Sequence, residues 1–280
     1  MMKKIALLNL ILVILLSGCA NAGTSQATDA TEPDQGSAPN QPAAVAETQE
    51  PAFQDRLTLT PGTDGALTIE EHPMRARETV EGVLSIYEDE PWFNFTAVPS
   101  RLTIGEDVYS YFIEGASVEE GAGDQTPNLP NLILQKNDQR VMSIPLGELS
   151  TTSSLWAFVA SEEDWYLELY REAGSVDDNG QEIPGGGDIF MNGESLNALN
   201  GYDESFGLHL VSDLPFYFFS RDGSYGYVYQ GVETPLDYSN ISHYGCCSAG
   251  LANPRGSEDR VVIFASREDQ QYLVMIGDFE

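Results

Sequence analysis

The sequence predicts an all-β protein built from antiparallel hairpins. Three observations point there. Tyr (13) and Phe (12) are abundant in the 280 residues, and aromatic side chains favour strands. Apolar and polar residues alternate in short runs, with few long patterns at helical spacing. Gly, Asn and Asp sit between those runs, where tight hairpin loops need them. At 41% hydrophobic the chain can also fill a core.

Taken in order, residues 56–60 and 66–69 flank Pro61-Gly62-Thr63-Asp64-Gly65 and predict a first hairpin. Residues 82–87, 93–98 and 108–113 read as further strands. The Gly-, Glu- and Pro-rich stretch 115–130 reads as a long surface loop. Residues 132–134 and 140–144 flank Lys136-Asn137-Asp138-Gln139, a hairpin turn. Residues 155–160 and 165–170 flank Glu162-Glu163-Asp164. A helix over 161–172 stays open there, because acids suit a first helical turn. Ile189-Phe190-Met191 runs into Asn192-Gly193, a strong two-residue turn signal. Residues 216–220 and 225–229 flank Arg221-Asp222-Gly223, and 261–265 with 272–276 close the domain.

Faint repetition sets the expected architecture. The stretch Ala160-Ser161-Glu162-Glu163-Asp164-Trp165-Tyr166-Leu167 returns, with one residue inserted, between Ala265 and Leu273. Asn192-Gly193-Glu194 is echoed by Gln230-Gly231-Val232-Glu233, a step of 38 residues from Gly193 to Gly231, near the period of about 40 that propeller blades give. The expectation is therefore propeller-like repeats, about five in number, with a β-sandwich as the alternative.

The N-terminus carries a separate message. Lys3 and Lys4 precede an apolar run from Ile5 to Leu16, which ends Leu16-Ser17-Gly18-Cys19. A basic start, a short apolar stretch and small residues make a secretory signal. The run is too short to span a bilayer, which takes about 20 residues. Its ending resembles the lipobox of bacterial lipoproteins. The resemblance implies a signal peptide over 1–18, cleavage before Cys19, and acylation of the Cys19 thiol by palmitate-type chains. It places the protein on the cell membrane or outer membrane, outside the cytoplasm. Ala20 and Asn21 follow the cysteine, so the Asp that retains such proteins at an inner membrane in Gram-negative families is missing. Residues 19–54, rich in Ala, Thr, Gln, Pro and acid, read as a disordered tether, and residues 55–280 as one all-β globular domain.

The charge balance narrows the partners. Lys and Arg number 13 against 44 Asp and Glu, a formal charge of −31. Such a surface repels nucleic acid and anionic lipid. The expected partners are the membrane, through the lipid, and a protein or glycan ligand. No cofactor motif is present in the sequence.

Chemistry-bearing residues are few. His243-Tyr244-Gly245-Cys246-Cys247 is the one unusual local sequence of the body and the candidate ligand site. With Cys19 assigned to lipid, Cys246 and Cys247 are the remaining thiols in a disulfide-permissive compartment. A bond between them would be strained, since adjacent Cα atoms lie about 3.8 Å apart. The pair reads as a disulfide-locked turn, two buried thiols, a ligand platform or a redox switch. Asp177, Asn179 and Asp188 are weak Ca²⁺ candidates, because the loop around Gly180 has Gly186 where a bidentate Glu is required. No His, Ser or Cys stands in a catalytic signature. Three function classes stay open. A binding domain comes first, then a hydrolase of glycans or peptides using a carboxylate pair, with Trp92, Trp156 and Trp165 to stack on sugar. An envelope redox or metal-handling protein using Cys246-Cys247 is third.

Overall fold

The computed structural model describes residues 52–279 apart from 55, 63–65, 96, 116–129, 148–153, 175–180 and 183, and in it the alternating runs fold into four antiparallel sheets. The lipobox with Cys19, residues 19–51 of the tether, the Ca²⁺ candidates Asp177 and Asn179, and most of the 115–130 loop lie outside the described residues.

The chain begins with β1 (Thr58–Thr60) and β2 (Thr68–Pro73), the expected first hairpin. Residues 82–87 are helical rather than the expected strand: α1 (Val80–Leu84) runs into a 3₁₀ turn, Ser85–Tyr87. The reason is local. The Thr79 side chain caps the helix by accepting from the Gly82 N–H, and Glu81 sits in the first turn, where an acid suits the helix dipole. Val83 and Leu84 then turn inward. Residues 93–95, 97 and 98, also expected as strand, are irregular, next to the fully buried Trp92.

Sheet 1 follows as β3 (Arg101–Ile104), β4 (Asp107–Glu114), β5 (Asn131–Lys136) and β6 (Gln139–Pro145). Sheet 2 is β7 (Leu155–Ser161), β8 (Asp164–Arg171), β9 (Gly186–Met191) and the short β10 (Glu194–Ser195), which leads into α2 (Leu196–Asn200). Residues 161–172 are thus a turn and a strand, and the helical alternative falls. Sheet 3 is β11 (Glu204–Val211), β12 (Leu214–Arg221), β13 (Ser224–Tyr229) and β14 (Val232–Leu236). Each of these three sheets pairs its strands in chain order. Sheet 4 draws on both ends of the body. β15 (Asn240–Ile241) and β16 (Arg255–Gly256) pair with β17 (Arg260–Arg267), then come β18 (Gln270–Gly277), β2 and β1.

Two-residue turns make this meander possible. At Asn137-Asp138, Asn192-Gly193, Ser212-Asp213, Asp222-Gly223 and Gln230-Gly231 both central residues have positive φ. That backbone matches the right-handed twist of the flanking strands.

Successive sheets pack face to face. Leu132, Leu134, Phe158 and Leu167 form the core between sheets 1 and 2. Ile189, Leu208, Tyr217 and Val228 fill the layer between sheets 2 and 3. Phe206, Phe216, Tyr227, Ile263 and Val274 fill that between sheets 3 and 4. The far face of sheet 4 is covered by Val83, Leu84, Trp92 and Phe53. Phe53, which the sequence reading puts at the end of the tether, is therefore a core residue. Each such side chain contributes roughly 1.5–3 kcal/mol by leaving water. The fold is all-β, with a recurring four-strand unit and sandwich-like layering. The expected five units are four.

Candidate functional site

The first strands of sheets 2 and 3 each carry a bulge beside one cavity of about 850 Å³. In β7, Leu155 pairs with Leu169 and Ala157 with Glu168, so Trp156 is the extra residue. In β11 the register shifts between Phe206 and His209. Bulges of this kind interrupt the ladder and re-aim side chains. The β11 bulge is built on Gly207, whose φ is +65° and where a Cβ would meet the Phe218 ring at 3.0 Å. Any other residue would strain both the backbone and the packing.

The bulge frees two backbone N–H groups, and Glu168 of β8 takes them. Gly207 N–H donates to Glu168 Oε1 at 3.0 Å and Leu208 N–H to Oε2 at 2.7 Å. The Tyr244 hydroxyl donates to Oε1 at 2.6 Å. Glu168 is only 3% exposed. Burial pushes its carboxyl above the usual range, against the pull of these three donors and the nearby His243.

Tyr244 arrives from sheet 4, three residues after β15, with φ of 51°. Its ring packs edge-on to Trp156 at 5.0 Å and tilts against Tyr170 at 4.6 Å. Gly187 of β9 makes room for it: a Cβ there would lie 2.3 Å from the Tyr244 oxygen. Burial and the adjoining Glu168 push the Tyr244 hydroxyl well above its ordinary value, so it stays protonated and donating.

His243 stacks on Phe206 at 3.9 Å with the rings 14° apart. Its Nδ1 lies 2.6 Å from the Ile241 carbonyl and its Nε2 3.1 Å from Glu204 Oε2. Both ring nitrogens face acceptors, an arrangement that favours the protonated ring. Burial alone would lower the His243 value, but the Glu204 carboxylate, the Ile241 carbonyl and the Glu168 charge outweigh it and hold it raised. His209, on the other wall, is the opposite case. Burial drives it down to about 4, so it is neutral at physiological pH.

The remaining wall is the 91–99 linker and residues 254–259. Arg255 is 4% exposed. It donates from Nη1 to the Phe93 carbonyl and from Nη2 to the Leu251 carbonyl at 3.1 Å. Its guanidinium lies 4.3 Å from the Phe95 ring centroid. Among the described residues its Nε, like the indole Nε1 of Trp156, has no partner. Asp213 and Glu258 stand exposed at the rim.

The sequence-predicted residues separate here. His243 and Tyr244 line the cavity. Cys246 and Cys247 do not; both are exposed free thiols. They sit on a tight loop held by Asn253, which accepts from the Gly245 N–H at 2.7 Å and donates to the Gly245 carbonyl at 2.9 Å. Of the tryptophans, Trp92 and Trp165 are core and Trp156 is on the cavity wall. Asp188 is committed elsewhere, to Arg171 at 2.9 Å and the Ser195 hydroxyl at 2.8 Å. Among the described residues no three His, Cys, Asp or Glu side chains are grouped to hold a metal ion.

Glu168, Glu204, His209 and Arg255 were not singled out by sequence. One signal existed: Glu168 is the lone acid in the apolar run Trp165-Tyr166-Leu167-Glu168-Leu169-Tyr170. Comparison with family models, with curated proteins and with solved structures found no match for this chain.

Proposed function

We propose that this is a lipid-anchored, extracytoplasmic binding protein whose all-β domain captures a small ligand in the cavity between sheets 2, 3 and 4. The observation that carries the reading is the cavity itself. Its volume of about 850 Å³ lies in the range of small-molecule sites, roughly 300–1,000 Å³. Its wall carries the rings of Phe95, Trp156 and Tyr244, with a few fixed polar groups.

Binding is favoured over hydrolysis by how those polar groups are used. Glu168 already accepts three hydrogen bonds, and both His243 nitrogens are engaged. Groups committed to the protein are poorly placed to move a proton to or from a substrate. The cavity wall also holds two buried N–H groups, Trp156 Nε1 and Arg255 Nε, without an acceptor among the described residues. The anchor rests on the Leu16-Ser17-Gly18-Cys19 pattern, which supports delivery to the envelope surface.

Two measurements test this. Protein taken from its own membranes should carry a small organic molecule, seen as a mass increment in native mass spectrometry. Ala97→Trp, at an exposed position on the rim, should abolish the increment without unfolding the protein. An increment that survives the plugged cavity would sink the reading. Separately, Cys19→Ser should release the protein from membranes or block its processing; equal membrane binding and processing would remove the anchor.

A further inference from the structure

Arg255 and Arg171 are the two deeply buried arginines, at 4% and 9% exposed, and they differ in one respect. Arg171 has its acid, Asp188, at 2.9 Å. Arg255 has none among the described residues: its bonds go to the carbonyls of Phe93 and Leu251, and aromatic rings cover its face. Burying a cation without a counter-charge is expensive, and buried charges are normally paired. The contrast is sharp in a chain with 44 acids for 13 bases. Even partly exposed bases such as Arg56, Arg221 and Lys136 find a carboxylate. The nearest acids in sequence do not serve Arg255. Asp259 is taken by Arg260 and by the Ser257 hydroxyl, and Glu258 points to the exposed rim. The unbalanced guanidinium lines the cavity; what sets it apart from Arg171, whose Nε is likewise unpartnered among the described residues, is the missing carboxylate.

We infer that the cavity ligand is an apolar or aromatic molecule bearing a carboxylate, and that Arg255 receives that carboxylate. The inference rests on the cavity being a binding site and adds the ligand's charge to it. A guanidinium is planar and suits a carboxylate better than a point charge does. The rings of Phe95, Trp156 and Tyr244 take the apolar body. The strongly negative surface does not oppose this, since a ligand of single charge is screened from distant acids within about 10 Å at ordinary salt.

The test uses three probes of one shape: 3-phenylpropanoate, 3-phenylpropanamide and 3-phenylpropylamine, titrated into the full-length protein by calorimetry and by tryptophan fluorescence. The acid should bind roughly ten- to a hundredfold more tightly than the amide, the size of a charge-assisted hydrogen bond, with the amine weakest. Arg255→Gln should erase the preference for the acid over the amide, and Arg255→Lys should restore part of it. The wild-type ranking stands alone if either variant fails to fold. Amide or amine binding as well as the acid overturns the carboxylate assignment while leaving the cavity a site. If none of the three binds and no molecule accompanies the purified protein, the cavity reading fails first. Acid binding that survives Ala97→Trp places the carboxylate elsewhere and also refutes the assignment.

Discussion

Tyr244→Phe deletes a single oxygen at the place where three sheets meet. The ring remains, so its contacts with Trp156, Tyr170, Phe206 and His243 remain. What goes is the 2.6 Å bond to Glu168 Oε1. A hydrogen bond to a charged group contributes about 1.5–3 kcal/mol. For a body of this size each kcal/mol moves the melting temperature by about 2–4 °C, so the expected loss is roughly 3–12 °C. The pH dependence has a definite sign. Burial raises the Glu168 carboxyl in the folded state, so its charged form is what the fold disfavours. Its contribution to stability is therefore best at low pH and declines as pH rises through the folded-state value. Without Tyr244 the carboxyl loses one of the donors that favour its charge, and that decline deepens. Urea melts of wild type and variant should differ more at high pH than at low pH, because the lost donor favours the charged form of Glu168. A cost below about 0.5 kcal/mol at the higher pH, or the same cost at both, would refute the claim that this hydroxyl supports the charged form of Glu168.

Three further outcomes follow from the same region. Gly187→Ala puts a methyl group 2.3 Å from the Tyr244 oxygen and 2.5 Å from the Ser205 carbonyl, so it should cost about 1–3 kcal/mol by urea melting and also weaken cavity binding. His209, held neutral to about 4, favours the unfolded chain once it is forced to charge. Stability should therefore fall as pH drops below the ordinary histidine value, and His209→Gln should lose that part of the acid sensitivity; an unchanged slope between about pH 7 and about pH 5 argues against a ring held neutral by the fold. Asn253→Ala leaves the Gly245 N–H and carbonyl without their partners, at a cost of about 1–3 kcal/mol by urea melting.

The hairpins were legible because their turns are local chemistry. Asn192-Gly193 and Asp222-Gly223 adopt positive φ wherever they occur between alternating runs, and the flanking strands follow. The repeat was also real. Gly193 and Gly231 occupy the same corner, the turn from third to fourth strand, in sheets 2 and 3. It did not extend to five units, because the chain between β4 and β5 and between β8 and β9 is much longer than a two-residue turn. Residues 82–87 misled because Val83, Ile86 and Tyr87 have strand propensity, while one Thr79 cap sufficed to start a helix. The site was half legible. His243 and Tyr244 stood out beside the cysteine pair, yet the cavity uses them and leaves the cysteines on the surface. Glu204 and Arg255 carried no local mark. Their roles arise only when β11, β15 and β16 come from distant parts of the chain to one wall, and nothing in a single strand encodes that meeting.

Sheet 4 joins strands from opposite ends of the body, and this sets an order of events in time. β2 pairs with β18, Pro73 opposite Tyr272 and Thr68 opposite Gly277. A chain made from its N-terminus completes the β1–β2 hairpin early and must hold it until the last strand appears. Sheets 1, 2 and 3 need only neighbours in sequence and can form meanwhile. During that wait β2 offers an open edge, the kind of edge that captures other chains. Glu70 and Glu71 on β2 put charge on that edge and discourage such pairing. Loss of β18 alone would leave this edge open permanently, so the eight residues of β18 guard the first strands against aggregation.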